Sequence, residues 1–130
     1  MITEFDLLDH VMLDEETKTM LLLVIDLGEL WKLDKKPGVL NFRAQRLQEE
    51  KNLEHLICLK NKVEAYVSYI RNTGLLRSFP GTPNPEQYDY EIRVLTDFDP
   101  EPDYLQTIRN MNYRLSQFTD KIKITTEKTN

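Results

Sequence analysis

The chain holds one cysteine, four glycines and six prolines in 130 residues, and each scarcity removes a class of protein. A lone Cys58 rules out an intramolecular disulfide and with it the usual mark of an oxidising compartment, so a cytoplasmic location is expected. Four glycines leave little material for a backbone cradle around phosphate. No apolar run approaches the roughly 18 residues of a membrane span. The opening MITEFDLLDH carries acids where a signal peptide needs a basic region and an unbroken apolar one, so neither membrane nor export is expected. Positive charge is also short: 17 Lys and Arg against 22 Asp and Glu leave a net charge of -5. A phosphate backbone meets no overall attraction there, and no nucleic acid is expected as partner. Catalytic motifs of the G-x-S-x-G, H-E-x-x-H, glycine-rich-loop and Ser-x-x-Lys kinds are missing as well.

What is present is an ordinary globular composition, 40% hydrophobic and 30% charged, in a chain long enough to bury roughly two thirds of its unfolded surface as one domain, residues 1 to 130. Residues 6 to 13 and 19 to 27 are apolar runs around the polar DEETKT, the pattern of a hairpin. The second run suits a strand covered on both sides or central in a sheet. Residues 28 to 40 form a connection. A helix begins near Asn41 as N-cap and continues to Asn72, with a break or second cap at Lys51-Asn52. Leu56, Leu59, Val63, Tyr66, Val67 and Ile70 make its apolar stripe, with Lys60, Lys62, Glu64 and Arg71 largely on other faces. Gly74 is the expected stop, in a left-handed conformation.

Residues 77 to 87 form a Pro-rich loop, and residues 88 to 97 alternate with period two as a third strand. In DFDPEPD, Asp99 is the expected N-cap of a last helix and Pro100 its first residue. Tyr104, Leu105, Ile108, Met111, Leu115 and Phe118 mark that helix's apolar side. Ile122 and Ile124 lie in a fourth strand, and a polar tail frays from about residue 126. The order ββαβαβ predicts an α+β two-layer sandwich, a mixed four-stranded sheet with two helices on one face.

The stretch LKNKVEAYVSYIRNTGL, residues 59 to 75, resembles the central helix of a small bacterial family of uncharacterised proteins, a domain of unknown function. Its pattern is an Asp-containing hairpin, a Trp after the second strand, a helix reading Leu-x-x-Lys-x-x-x-Tyr-x-x-Phe-Ile closed by Gly-x-Leu, then a strand and an acid-Pro-started helix. Leu59, Lys62, Tyr66, Ile70, Gly74, Leu75, Trp31 and the Asp99-Pro100 step match it. Tyr69 stands where that pattern has Phe, and residues 32 to 52 exceed its usual connection. The resemblance implies the fold and a bacterial source, and it brings no catalytic residue.

Three groupings could carry chemistry. His55 and Cys58, three apart on a helix, have the spacing of a metal pair or a Cys-His nucleophile, but a structural zinc needs more ligands and Cys58 between Ile57 and Leu59 reads as a small buried hydrophobe. The acids Asp97, Asp99, Glu101 and Asp103 could hold a cation or line a cleft, yet the calcium-loop template fails at Pro102 and Ile108 and helix capping explains Asp99 and Glu101. Tyr66, Tyr69, Tyr88 and Tyr90 could rim a partner surface or be half-buried at the helix-sheet edge. No cofactor or metal is expected.

The best reading is a small non-catalytic protein-protein interaction protein, immunity- or adaptor-like, that binds a basic protein through Asp97, Asp103, Tyr69, Tyr88 and Tyr90. The acids of the Asp14 to Glu16 turn would add to the field if they fall at the same end. The alternative is a small-ligand binder or enzyme using an acidic cleft near residues 97 to 103. A homo-oligomer joined through sheet edges is a third possibility.

Overall fold

The computed structural model describes residues 2–3, 8–31 and 42–129. Strand β1 (His10–Asp14) turns back into β2 (Thr19–Asp26), helix α1 (Phe42–Arg71) and the short α2 (Gly74–Ser78) lead to β3 (Asp89–Thr96), and α3 (Pro102–Ser116) leads to β4 (Ile122–Lys128). The sheet order is β1-β2-β3-β4, antiparallel at the first pair and parallel at the next two. This is the expected α+β two-layer sandwich: a mixed four-stranded sheet with its helices on one side. The expected start of the first strand at residues 6 and 7, the connection from 32 and the cap at Asn41 lie outside the described residues.

Alternation decides which side chains enter the core. Met20, Leu22 and Val24 of β2 share a face with Ile92 and Val94 of β3 and with Ile122 and Ile124 of β4, and all are buried under Leu59, Val63, Tyr66 and Ile70 of α1 and Ile108 and Met111 of α3. β2 is central, as its apolar run predicts, but its burial alternates strictly, so it is covered fully on one side only. Asn112 clamps α3 to β4, its side chain bonding both the amide and the carbonyl of Ile124 at 2.8 Å.

Four expectations are corrected. First, α1 runs unbroken through Lys51 and Asn52. Asn52 is tolerated inside the helix because its side-chain oxygen accepts a bond from Gln48 one turn earlier, at 2.9 Å, rather than competing for the backbone. Second, α3 starts at Pro102, not Pro100, with Glu101 extended at φ -69, ψ 159. Pro102 pushes the residue before it out of the helical region, so a helix begun at Pro100 could not pass through Glu101. Asp99 pairs with Lys128 at 3.0 Å instead, and Phe118, beyond the end of α3, is 78% exposed. Third, the polar tail is ordered sheet: Thr126, Glu127 and Lys128 pair with Val94, Leu95 and Thr96, and the Thr129 amide bonds the Thr96 carbonyl at 2.7 Å.

Fourth, the left-handed residue after α1 is Thr73, φ 66, not Gly74. Gly74 is required for space, because a Cβ there would meet the Tyr69 ring and stand 2.6 Å from the Tyr69 carbonyl. A β-branched residue in that conformation is strained by about 1 kcal/mol or more. Thr73 is exposed, so little packing is lost on exchange. Thr73→Asn, which accepts the left-handed region more readily, is expected to raise stability by about 0.5–1 kcal/mol; an unchanged or lower urea midpoint would contradict this assignment of strain.

Candidate functional site

Asp26, the last residue of β2, has the parity of the buried face and is fully enclosed. A carboxylate there is tolerable only if donors replace the lost water. Three elements supply them. The 3-10 turn Gly28–Trp31 folds back so that Trp31 Nε1 donates to Oδ1 at 3.0 Å. From α1, His55 Nε2 lies 2.6 Å from Oδ2, and from the first turn of α3 the Tyr104 hydroxyl donates to the same oxygen at 2.6 Å. Burial, and then the charge and hydrogen bond of Asp26, push the Tyr104 phenol far up, so it stays a neutral donor. The His55 ring stacks on Trp31 at 4.3 Å and 8° and meets Phe98 and Tyr104 at 5.7 and 5.2 Å. A carboxylate on one nitrogen and an indole on one face fix the orientation of the imidazole.

Above this cluster lies an open groove of about 600 Å³. Its origin is a mismatch of lengths. A 30-residue helix spans about 45 Å and an eight-residue strand about 26 Å, so the first part of α1 overhangs the carboxyl ends of β2 and β3. Gln48 and Asn52 of the overhang form one wall, Glu101 and Asp103 the other, and His55, Phe98 and Tyr104 the floor. Gln48 also donates to the Trp31 carbonyl at 3.1 Å, which ties the overhang to the turn. The carboxyl end of parallel strands is where open sheets with helical crossovers most often bind ligands.

A second polar cluster is wholly internal. Lys62 of α1 is 0% exposed, its Nζ 3.1 Å from Asp9 Oδ1 and 5.2 Å from the Tyr66 ring centre. Asp9 Oδ2 accepts the Ile25 amide at 2.9 Å, and the Tyr66 hydroxyl accepts the Asp9 amide at 2.9 Å while donating to the Leu23 carbonyl at 2.8 Å. The cluster therefore bonds the entry to β1, the end of β2 and α1 together. Lys62 was expected on an outer face, yet it sits in register with Leu59 and Tyr66 on the apolar stripe.

The residues expected to bind a partner separate into two groups. Asp103 stands exposed on the groove rim. Asp97, also exposed, accepts the Gly28 amide at 2.7 Å and so holds two loops together beside the groove. The tyrosines are at the other end of the sheet and are not a rim. Tyr88 is 1% exposed, with Lys18 over its ring. Tyr69 is half-buried and shares a 2.5 Å bond with Ser78. Tyr90 is half-buried too, its phenol raised by burial and by Asp89. The Asp14 to Glu16 turn adjoins the start of β2, far from residues 97 to 103, so the two acidic segments do not add their fields.

His55 and Cys58 do not form a nucleophilic pair. Burial first, then the charges of Glu54 and Asp26, push the Cys58 thiol up, and Nε2 of His55 is committed to Asp26. Among the described residues no three His, Cys, Asp or Glu side chains gather as a metal site. The residues that sequence reasoning passed over, Asp26 and Asp9, each had a signal only in context: Asp26 is an acid at an inward position of an otherwise apolar strand. No helix of the described residues is long and apolar enough to cross a membrane. The chain matches no protein-family model, no curated protein and no solved structure.

Proposed function

We propose that this is a non-catalytic binding protein of the cytoplasm, immunity- or adaptor-like and of bacterial type, whose groove at the carboxyl ends of β2 and β3 receives a cationic side chain of a basic partner protein. The observation that carries the reading is the pairing of two exposed carboxylates, Glu101 and Asp103, with the aromatic floor of Phe98 and Tyr104. Carboxylates with a flat aromatic base suit a guanidinium or ammonium group, which gains both ion pairing and ring contact. The net charge of -5 favours the same kind of partner and gives an association rate that rises as salt falls.

A second reading, a small-ligand binder or enzyme, draws on the His55–Asp26 pair in the groove floor, since an oriented imidazole is a common acid-base group. Arginine-rich peptides separate the two. In NMR titrations they are expected to shift the amides of Gln48, Asn52 and residues 98 to 104, with the shifts lost in Glu101→Gln/Asp103→Asn and weakened by salt. Shifts spread over the whole acidic surface, or unchanged by the double substitution, would refute the cationic-groove reading.

A further inference from the structure

We propose that His55 is the acceptor at the base of the groove, and that the occupant is an arginine side chain whose guanidinium donates to Nδ1 of that imidazole. The inference rests on the cationic-groove reading and narrows it from any cation to one that carries N–H donors.

The other nitrogen of the ring sets the tautomer. Nε2 lies 2.6 Å from Asp26 Oδ2, so against a carboxylate it carries the proton, and in the neutral imidazole Nδ1 is left as a bare acceptor. His55 is only 9% exposed, yet among the described residues Nδ1 has no hydrogen-bond partner. No side-chain nitrogen or oxygen of the described residues is both enclosed and unbonded. Nδ1 therefore opens outward, into the groove that His55 helps to floor.

The ring is held in that pose from several sides. Trp31 stacks on one face at 4.3 Å, and Tyr104 and Phe98 meet it at 5.2 and 5.7 Å. Asp26 is fixed in turn by Trp31 and Tyr104, which donate to its two oxygens. A carboxylate behind the ring polarises the hydrogen-bond chain and makes Nδ1 a stronger acceptor. An acceptor in a nearly dry floor costs free energy until a donor meets it.

A guanidinium is that donor. Its planar fork carries five N–H groups, so one edge bonds Nδ1 while another turns to the exposed carboxylates Glu101 and Asp103. Its face lies against the aromatic floor. A quaternary ammonium meets the carboxylates and the rings as well, but it brings no N–H and leaves Nδ1 unanswered.

Protonation of His55 reverses the preference. Nδ1 then becomes a donor on a cationic ring and repels the guanidinium, which keeps its own charge, so affinity falls as pH falls through the titration of His55. The ionisable groups around the ring are Asp26 from β2, Tyr104 and Asp103 from α3, and Glu101 just before it. Its own helix adds Lys51, 6.0 Å from the Trp31 ring centre, with Glu54 and Cys58. Trp31 and Phe98 present neutral rings. His10, the other histidine, is exposed on β1.

Calorimetric titration of the full chain with an arginine-rich peptide from about pH 5.5 to about pH 8, with groove amides and both imidazoles followed by NMR, tests this. Affinity is expected to weaken toward about tenfold per pH unit once His55 is protonated. The peptide is expected to move the His55 midpoint downward and leave that of His10 in place, as reciprocal linkage requires. The same peptide with trimethyllysine at every arginine keeps its charge without the N–H groups, and is expected to bind at least about tenfold more weakly near pH 8. His55→Gln, whose amide still reaches Asp26, is expected to keep the wild-type circular dichroism and lose the pH response; the other two measurements need no variant. Groove amides that shift with an affinity flat across this range, a His55 midpoint unmoved by the peptide, a pH response kept by folded His55→Gln, or trimethyllysine bound as tightly as arginine would each overturn the role of His55 and leave the cationic groove standing. Groove amides indifferent to the arginine peptide at every pH would remove both.

Discussion

Asp26→Ala is expected to destabilise the protein by about 3–5 kcal/mol, as removal of one member of a buried polar network does. Trp31, Tyr104 and His55 each lose the acceptor they point at, and the site is too enclosed for water to replace all three bonds. Asp26→Asn keeps the shape and one acceptor but turns an N–H group toward donors, so its loss should fall between. Trp31 is the only tryptophan, and its fluorescence reports on this cluster directly. Urea unfolding followed by both fluorescence and circular dichroism measures the effect; a loss under about 1 kcal/mol would show that the network does not hold the β2 exit to α1 and α3.

Lys62→Met is expected to lose about 3–5 kcal/mol, although methionine nearly matches lysine in volume. The substitution removes the ammonium that faces Asp9, whose side chain is 3% exposed, and leaves the carboxylate in a medium that penalises its charge. Adding Asp9→Asn removes that charge while keeping an oxygen for the Ile25 amide. The double variant should therefore lose less than the two single losses summed, by a coupling of about 1 kcal/mol or more. If the two losses simply add, charge pairing is not what the cluster contributes.

The fold was legible because the strongest signals are periodic. Alternation in residues 88 to 97 and the three-and-four spacing from Leu59 to Ile70 record which side of an element is covered. Boundaries were less legible where two residues competed for one role. Pro100 and Pro102 both suit a helix start, and only the extended backbone at Glu101 decides between them. Thr73 and Gly74 both follow α1, and the nearness of Tyr69 assigns the close approach to glycine, leaving threonine the left-handed turn. The site was hidden for another reason. Asp26, Trp31, His55 and Tyr104 come from four separate stretches of chain, and no local pattern marks residues that meet only after the sheet and helices have packed. Lys62 was misplaced because a charged residue on an apolar stripe looks like an outward one until its partner, Asp9, is brought beside it.

The strands stand side by side in the order in which they are made, β1-β2-β3-β4. No strand has to be inserted between two that have already paired. A chain emerging from the ribosome can thus build the sheet by accretion, first the hairpin, then β3 after α1, each arrival covering the edge left by the last. Until residues 122 to 128 are released, the edge of β3 and the inner side of α3 lack the strand they pack against. The nascent protein is then most exposed to misassociation in the interval before residues 122 to 128 emerge, and the arrival of β4, rather than any internal rearrangement, ends that interval.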